Sequence, residues 1–329
     1  MGAEMLVIGS RPQLELPVVA PPVGQVFACP PGSTPSKPGP VNQARPAGGV
    51  IGFDRQAGRL VAIASVDGVE TWTFDVCRNT WTEMHPDRQP SSFGWGAHLV
   101  YDVDSDLTIG VSSGKVWAYD LQADTWTEKG VTPIDATLWD YDAVSGLVIA
   151  AKDASPIELW HYDVETDTWT PIDQVNGPAY VQAFAYDASV DRIVAYAAGL
   201  ETWLFDIRTG TWSRSGAVTP EIASGMAGPN IVYDETAERT VVFGNGRLAT
   251  YDATADRWEI LIERGPRQSW EELPLCMVYD PVNRRLLGCG YPEDGAAYQA
   301  NVIQAFDVAT RQWTLLLGSG EERPTPSSP

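Results

Sequence analysis

Residues 70–83 read ETWTFDVCRNTWTE, and related phrases begin at five further positions in the 329-residue chain. In every copy a Trp follows an Asp by six residues, and successive copies lie 45, 43, 43, 46 and 55 residues apart. A repeat of this length, with turn and aromatic residues at fixed places, is typical of a β-propeller in which each period forms one four-stranded blade. The pairs are Asp75–Trp81, Asp120–Trp126, Asp163–Trp169, Asp206–Trp212, Asp252–Trp258 and Asp307–Trp313.

A second motif, which also ends in Asp, precedes each copy of the first. Between the two motifs lies an apolar run, so each period reads strand, turn, strand, loop, strand, turn, strand. Asp is suited to the turns because its side chain accepts hydrogen bonds from nearby backbone N–H groups. We therefore predict an all-β fold, a six-bladed propeller with four antiparallel strands per blade. The copies of the second motif are GVIGFD (49–54), AHLVYD (97–102), TLWDYD (137–142), AFAYD (183–187), NIVYD (230–234) and CMVYD (276–280).

Strand pairs such as ELWHYDVETDTW (158–169) and ETWLFDIRTGTW (201–212), each after an apolar strand, resemble kelch repeats. The resemblance covers residues 49–318 and implies a kelch-like six-bladed propeller. The chain departs from the kelch pattern in two ways. The Gly-Gly doublet is absent or reduced, and Ala249 and Gln304 stand where the other copies have the third-strand Trp.

Two segments flank the predicted propeller. Residues 1–48 contain ten prolines, which predicts an irregular leader that packs on the ring or is flexible. Residues 319–329 are polar and Pro-rich, which predicts a disordered tail. The start of the sequence shows no basic region followed by a sustained apolar run, so no secretory signal is visible.

The charge balance excludes some partners. The formal net charge is −21 and the pI is near 4.4, whereas nucleic acids and anionic membrane surfaces bind clustered Lys and Arg. No apolar run approaches the roughly 20 residues that span a bilayer. We expect a monomer that neither binds nucleic acid nor inserts into a membrane.

The four cysteines allow three disulfide connectivities, or none if the thiols are free. Cys276 and Cys289 flank a predicted hairpin and should stand opposite each other, which leaves Cys29 and Cys77 as the second pair. Both bonds together would indicate an oxidising, secreted or periplasmic location.

The inner strands line the central channel, where small residues are expected and polar residues need a reason. The polar exceptions are His98, Asp140 and Asn230. One reading is a site for one divalent metal ion, Ca²⁺ if oxygen ligands dominate or Zn²⁺ if His takes part. The other is polar residues satisfied by neighbouring backbone or channel water. His85 could join His98 in a variant of the metal site with Asp87 or Asp140 as the carboxylate, or the two histidines are close in sequence by chance.

The longest loops are predicted at one face, beside blades 1, 2, 5 and 6, and loops of this kind often carry binding residues. The candidate catalytic residues are His98, Asp140 and Glu271, although a solvated charged rim is the commoner explanation for such carboxylates. The candidate substrate-binding residues are Trp95, Trp270, Lys152, Arg247 and Tyr291.

Two functions are consistent with these features. The first is a small-molecule hydrolase that acts on an ester, lactone or phosphoester at the channel mouth, with metal assistance and no organic cofactor. It rests on analogy of fold, since six-bladed propellers include calcium-dependent lactonases and phosphotriesterases. The second is a non-catalytic propeller that binds a protein or glycan, which fits the lack of any local catalytic motif.

Overall fold

The computed structural model describes residues 27–40, 50–64, 69–91, 93, 98–152, 157–222, 229–244, 247–263, 276–290 and 302–317. Within these ranges every regular element is a β-strand, and the strands form six four-stranded antiparallel sheets. The predicted tail and most of the predicted leader lie outside the described residues.

Each sheet, or blade, takes four strands that are consecutive in sequence. Blade 1 comprises β1 (Val50–Asp54), β2 (Arg59–Ala64), β3 (Glu70–Asp75) and β4 (Thr80–Met84). Blade 2 comprises β5 (Leu99–Asp102), β6 (Leu107–Ser112), β7 (Lys115–Asp120) and β8 (Thr125–Val131). Blade 3 comprises β9 (Leu138–Asp142), β10 (Leu147–Lys152), β11 (Glu158–Asp163) and β12 (Thr168–Ile172). Blade 4 comprises β13 (Val181–Asp187), β14 (Arg192–Ala197), β15 (Glu201–Asp206) and β16 (Thr211–Arg214). Blade 5 comprises β17 (Asn230–Asp234), β18 (Arg239–Gly244), β19 (Arg247–Asp252) and β20 (Arg257–Ile262). Blade 6 comprises β21 (Cys276–Asp280), β22 (Arg285–Gly290), β23 (Val302–Asp307) and β24 (Gln312–Leu317).

The first strand of every blade is its inner strand. The inner strands contact one another in the order β1, β5, β9, β13, β17 and β21, and β21 contacts β1. The blades therefore close into a ring around an axis, and the predicted six-bladed β-propeller is confirmed. Among the described strands none is exchanged between blades, as the contiguous sequence repeats predicted.

Both hairpin turns of every blade open with an Asp. In the β7–β8 turn, Oδ1 of Asp120 accepts a hydrogen bond from the N–H of Ala123 at 2.8 Å, and Asp124 has a left-handed φ of 49°. The same arrangement occurs in all twelve turns: the carboxylate accepts an N–H two or three residues later, and the residue four positions later has a positive φ. The predicted role of these Asp residues is confirmed, because a carboxylate satisfies the turn N–H groups that no strand can pair. They are Asp54, Asp75, Asp102, Asp120, Asp142, Asp163, Asp187, Asp206, Asp234, Asp252, Asp280 and Asp307.

The hydrophobic core lies between the blades. The apolar residue three positions before each inner-strand Asp packs in the gap to the preceding blade, as Leu99 does with Val61 and Phe184 does with Ile149. This confirms the predicted packing row, whose other members are Ile51, Trp139, Ile231 and Met277.

In blades 2 and 5 the Trp of the opening motif joins the outer strand to the blade before it. Trp126 is buried, and its Nε1–H donates to Oγ1 of Thr71 in blade 1 at 3.0 Å. Trp258 makes the equivalent bond to Thr202 in blade 4 at 2.9 Å. The fixed interval between Asp and Trp follows from the turn, because the turn sets the register that places every Trp opposite the aromatic residue before the third-strand Asp.

The described part of the leader, residues 27–40, is irregular and lies against blades 1 and 6. A disulfide joins Cys29 to Cys77 in the β3–β4 turn, as predicted. Cys276 is also disulfide-bonded, and it stands opposite Cys289 in the β21–β22 ladder, the placement that the sequence predicts.

Candidate functional site

The two ends of the ring differ in chemistry. Because neighbouring strands are antiparallel, all twelve Asp turns lie at one end, the turn end. The connections between second and third strands, and those from blade to blade, lie at the opposite end, the connection end. His98 precedes β5, Asn230 begins β17, Lys152 ends β10 and Arg247 begins β19, so all four are at the connection end. Asp140 lies in the middle of β9.

Both carboxylate oxygens of Asp140 are occupied by backbone groups at the channel wall. Oδ2 accepts the N–H of Tyr186 in blade 4 at 2.6 Å, and Oδ1 accepts the N–H of Tyr141 at 2.8 Å. Burial raises the pKa of Asp140 to about 6, and these two hydrogen bonds oppose the rise. An inner strand exposes unpaired N–H groups toward the channel, and this side chain satisfies two of them.

His98 makes a similar link one blade earlier. Its side chain is exposed, yet partial desolvation by the surrounding protein lowers its pKa below the ordinary histidine value. A hydrogen bond with the backbone of Thr137, the residue before β9, opposes that shift. His98 therefore lies at the mouth of the channel, where it is accessible to water.

The three candidate metal ligands come from blades 2, 3 and 5. Blades 2 and 5 are diametrically opposite in a ring of six, so a cation bound by His98, Asp140 and Asn230 together would lie near the axis. Oxygen and nitrogen ligands approach such ions to about 2.0–2.6 Å. Among the described residues no group of three or more His, Cys, Asp or Glu side chains is placed to hold a metal ion.

The two candidate cationic contacts already have acidic neighbours. Arg247 donates to the backbone carbonyl of Glu221 at 3.0 Å and forms an ion pair with Glu263 at 3.2 Å. Lys152 stands opposite Glu158 in the β10–β11 ladder. Both cations lie on the rim of the connection end, where a ligand could reach them without entering the channel.

Several candidates lie outside the described residues. The candidate catalytic Glu271 belongs to the 264–275 connection between β20 and β21. The candidate substrate-binding residues outside the described ranges are Trp95, Trp270 and Tyr291.

The remaining histidines are not brought to His98. His85 follows the outer strand β4, and its backbone N–H donates to Oδ2 of Asp124 in blade 2 at 3.1 Å. His98, in contrast, precedes an inner strand. The two histidines therefore lie at opposite radial positions of the ring. Asp87, the carboxylate of the alternative site, follows His85 by two residues. His161 lies within β11, and burial lowers its pKa.

A second recurring pair of side chains was not identified from the sequence. The hydroxyl of Tyr119 donates to Oδ1 of Asp124 at 2.7 Å, and Oδ2 of Asp124 accepts the blade-joining bond from His85. The signal was present as Tyr-Asp-x-x-x-Asp, because the second Asp is the left-handed residue of the turn. The other pairs are Tyr101–Asp106, Tyr162–Asp167, Tyr186–Asp191 and Tyr251–Asp256.

The fold and the turn chemistry define the class: this protein is a six-bladed β-propeller. No protein-family model matches the chain, and no curated protein matches it either. The kelch-like subtype accordingly stays a prediction. The described part of the chain contains no helix of the length and hydropathy that a membrane crossing requires. The Cys29–Cys77 disulfide is compatible with an oxidising location, extracellular or periplasmic.

Proposed function

We propose that this protein is a non-catalytic, monomeric recognition module of the kelch-like type that binds a protein or glycan at the connection end of its ring. The observation that carries the proposal is the state of Asp140. Both oxygens of this channel carboxylate accept backbone N–H groups, one of them from the next blade, so the side chain serves the wall of the ring. These two bonds hold the carboxylate against the wall, whereas a general base directs an oxygen at its substrate.

The chemistry of the two ends supports the choice of surface. At the turn end the twelve repeat carboxylates are engaged in their own turns, and the hairpins are uniform in length. At the connection end the segments differ from blade to blade in length and composition, which is how repeat proteins build a specific binding surface on a regular scaffold. Lys152 and Arg247 on that rim offer hydrogen-bond donors to carboxylates or sugar hydroxyls.

The test has a binding arm with a matched control. A glycan array and a peptide library are screened with the purified protein, and a hit is measured by calorimetry. We expect Arg247→Ala to weaken binding at least fivefold. Arg208→Ala, which removes a partly exposed arginine at the turn end, should leave it unchanged. Equal effects of the two variants, or no saturable binding to either library, contradict the proposal.

One observation favours a second candidate, the small-molecule hydrolase. The accessible His98 has a pKa below the ordinary histidine value, and its neutral form can take a proton from a nucleophile. A divalent metal ion, Ca²⁺ or Zn²⁺, would polarise an ester, lactone or phosphoester there.

Chromogenic esters, lactones and phosphotriesters distinguish the two candidates, assayed before and after chelation together with elemental analysis. Turnover that His98→Ala abolishes, and that the peripheral control His85→Ala retains, would establish the hydrolase and remove the recognition module. We expect no turnover above the buffer rate and no stoichiometric metal.

A further inference from the structure

We infer that residues 27–40, here named the clasp, lock the ring closed and do so only while the Cys29–Cys77 disulfide is intact. The seam between blades 6 and 1 differs from the other five seams. Each of the others is crossed by a connection from an outer strand to the next inner strand. The last strand of the ring, β24, and the first, β1, have no such connection.

The clasp bridges this seam, and one of its carbonyl groups contacts both blades. The carbonyl oxygen of Pro35 accepts a hydrogen bond from Nδ2 of Asn79 in blade 1 at 2.9 Å and from Nη1 of Arg285 in blade 6 at 2.8 Å. Nδ2 of Asn79 also donates to the carbonyl of Lys37 at 2.7 Å. The N–H of Gly39 donates to the carbonyl of Leu316 in β24 at 2.7 Å. The clasp thus binds both blades through its backbone, without adding a strand to either.

Close packing fixes the clasp in this position. A Cβ at Gly39 would lie 1.9 Å from the carbonyl oxygen of Asn79, so no other residue fits there without movement of the backbone. At the other end of the clasp the ring of Phe27 covers the β1–β2 turn, where a Cβ at Gly58 would lie 2.3 Å from Cδ1 of Phe27. Both contacts require glycine opposite the partner, as expected of a built interface.

Arg285 departs from the repeat in a way that suits the clasp. In three other blades the Arg at the start of the second strand forms an ion pair with the third-strand Asp of its own blade. Arg285 is only 8% exposed and instead binds Asp280 at 3.0 Å, the carbonyl of Val76 in blade 1 at 3.3 Å and the carbonyl of Pro35. A buried guanidinium needs several acceptors, and the clasp supplies one of them. The three regular pairs are Arg59–Asp75, Arg192–Asp206 and Arg239–Asp252.

The disulfide decides whether the clasp stays in place. Cys77 is 1% exposed in blade 1, so the bond fixes the clasp to the β3–β4 turn at a point from which Pro35 and Gly39 reach blade 6. Reduction by a dithiol transfers two electrons and two protons: the S–S bond breaks, two thiols form, and the dithiol becomes a disulfide. The clasp is then held only by its hydrogen bonds and packing contacts, and the cross-link no longer offsets the entropy cost of ordering it. The seam between β21 and β1 opens more often as a result.

Hydrogen–deuterium exchange of the full chain tests this inference. The Cys29→Ser/Cys77→Ser double variant leaves the disulfide of Cys276 in place, which reduction of the wild-type protein would not. We expect amide exchange in β1, β21 and β24 to rise about tenfold, the size of effect that a few lost contacts have on local opening. Exchange in β9 and β13, at the seam between blades 3 and 4, should not change. Unchanged exchange at the first seam, or an equal rise at both, overturns the inference.

Arg285→Lys provides a second measurement that retains both disulfides. A lysine ammonium keeps the charge beside Asp280 but does not reproduce the fork that binds Pro35 and Val76. We expect a smaller rise in exchange, confined to the same three strands. If the double variant is recovered unfolded, this variant decides alone: a local rise supports the clasp, and no rise or a general rise rejects it.

Discussion

The carboxylate of Asp140 in blade 3 accepts a hydrogen bond from the backbone N–H of Tyr186 in blade 4, across the seam between the two inner strands, at 2.6 Å. A residue that the sequence marks as a candidate for catalysis is thereby part of the wall of the channel. The same side chain has a raised pKa because burial disfavours its charge, so its structural role depends on pH.

Asp140→Asn tests that role. The amide oxygen accepts one backbone N–H while the NH₂ group faces the other, so we expect a loss of about 1–3 kcal/mol in the free energy of unfolding at pH 5. Because folding raises the pKa from 3.8 to about 6, the folded protein holds more protons in this interval. The contribution of Asp140 is therefore full below about pH 4 and declines as the pH rises to about 6.

The difference between wild type and Asp140→Asn should accordingly shrink from pH 5 to pH 7.5 in urea titrations. Asp87→Asn, which removes the same charge from an exposed position, serves as the control and should change stability by less than about 0.5 kcal/mol. A difference that grows with pH would show that the pKa of Asp140 is not raised by folding.

The Tyr–Asp pairs predict an energetic coupling. The hydroxyl of Tyr162 donates to Asp167 at 2.8 Å, and the same carboxylate accepts the N–H of Gly130 in the preceding blade. A double-mutant cycle of Tyr162→Phe and Asp167→Asn should give a coupling energy of about 1 kcal/mol. Phe205→Tyr in blade 4 is the matched control: Gly210 stands at the acceptor position, so the added hydroxyl should not stabilise the protein. Additive single effects would show that the pair does not act as a unit.

We expect the protein to lose stability in mild acid because of His161. Its Nε2 is buried with no hydrogen-bond partner among the described residues, and burial lowers its pKa while Asp142 opposes the shift. The unfolded chain therefore binds the proton more readily, and the contribution of His161, full above the ordinary pKa of about 6.5, is lost as the pH falls below it. His161→Leu introduces the residue that blade 4 has at the equivalent position, Leu204. We expect thermal unfolding of this variant to vary less between pH 7.5 and 5.5, whereas the exposed control His85→Ala keeps the wild-type profile.

Replacement of Leu200 by glycine should stabilise the protein. It is 47% exposed in the β14–β15 turn and has a φ of 60°, where a branched side chain costs about 1–2 kcal/mol. Leu200→Gly relieves this strain, and the greater freedom of glycine in the unfolded chain offsets part of the gain. We expect a net increase of about 0.5–1 kcal/mol in the free energy of unfolding, measured in urea. Val131→Gly, at an exposed strand end without a positive φ, should destabilise; stabilisation by both variants would exclude the backbone as the cause.

Sequence reasoning succeeded where the interactions are local and repeated. The Asp turns depend on a carboxylate and an N–H two or three residues away, so each copy of the motif specifies its own hairpin. The packing row, from Ile51 to Met277, follows from strand alternation and from the need of each blade to cover its neighbour. The Cys29–Cys77 bond was predicted once Cys276 had a partner across a hairpin.

Less of the candidate site could be predicted from the sequence, because the site depends on contacts between blades. His85 and His98 are 13 residues apart in sequence, yet they lie at the outer and inner edges of the ring. Sequence proximity could not show this, since the chain crosses from an outer to an inner strand between them. Trp95, Trp270, Glu271 and Tyr291 remain predictions, as do the metal ion and the hydrolase.

By itself the sequence determined the number of blades, their strand order and the chemistry of their turns, because these follow from interactions within about five residues, repeated six times. The tertiary structure alone decided what the non-repeating residues do. Asp140 reaches a backbone group 46 positions away, and Pro35 and Arg285, 250 positions apart, meet only because the ring closes. Such contacts depend on where whole sheets come to lie, which no local pattern encodes.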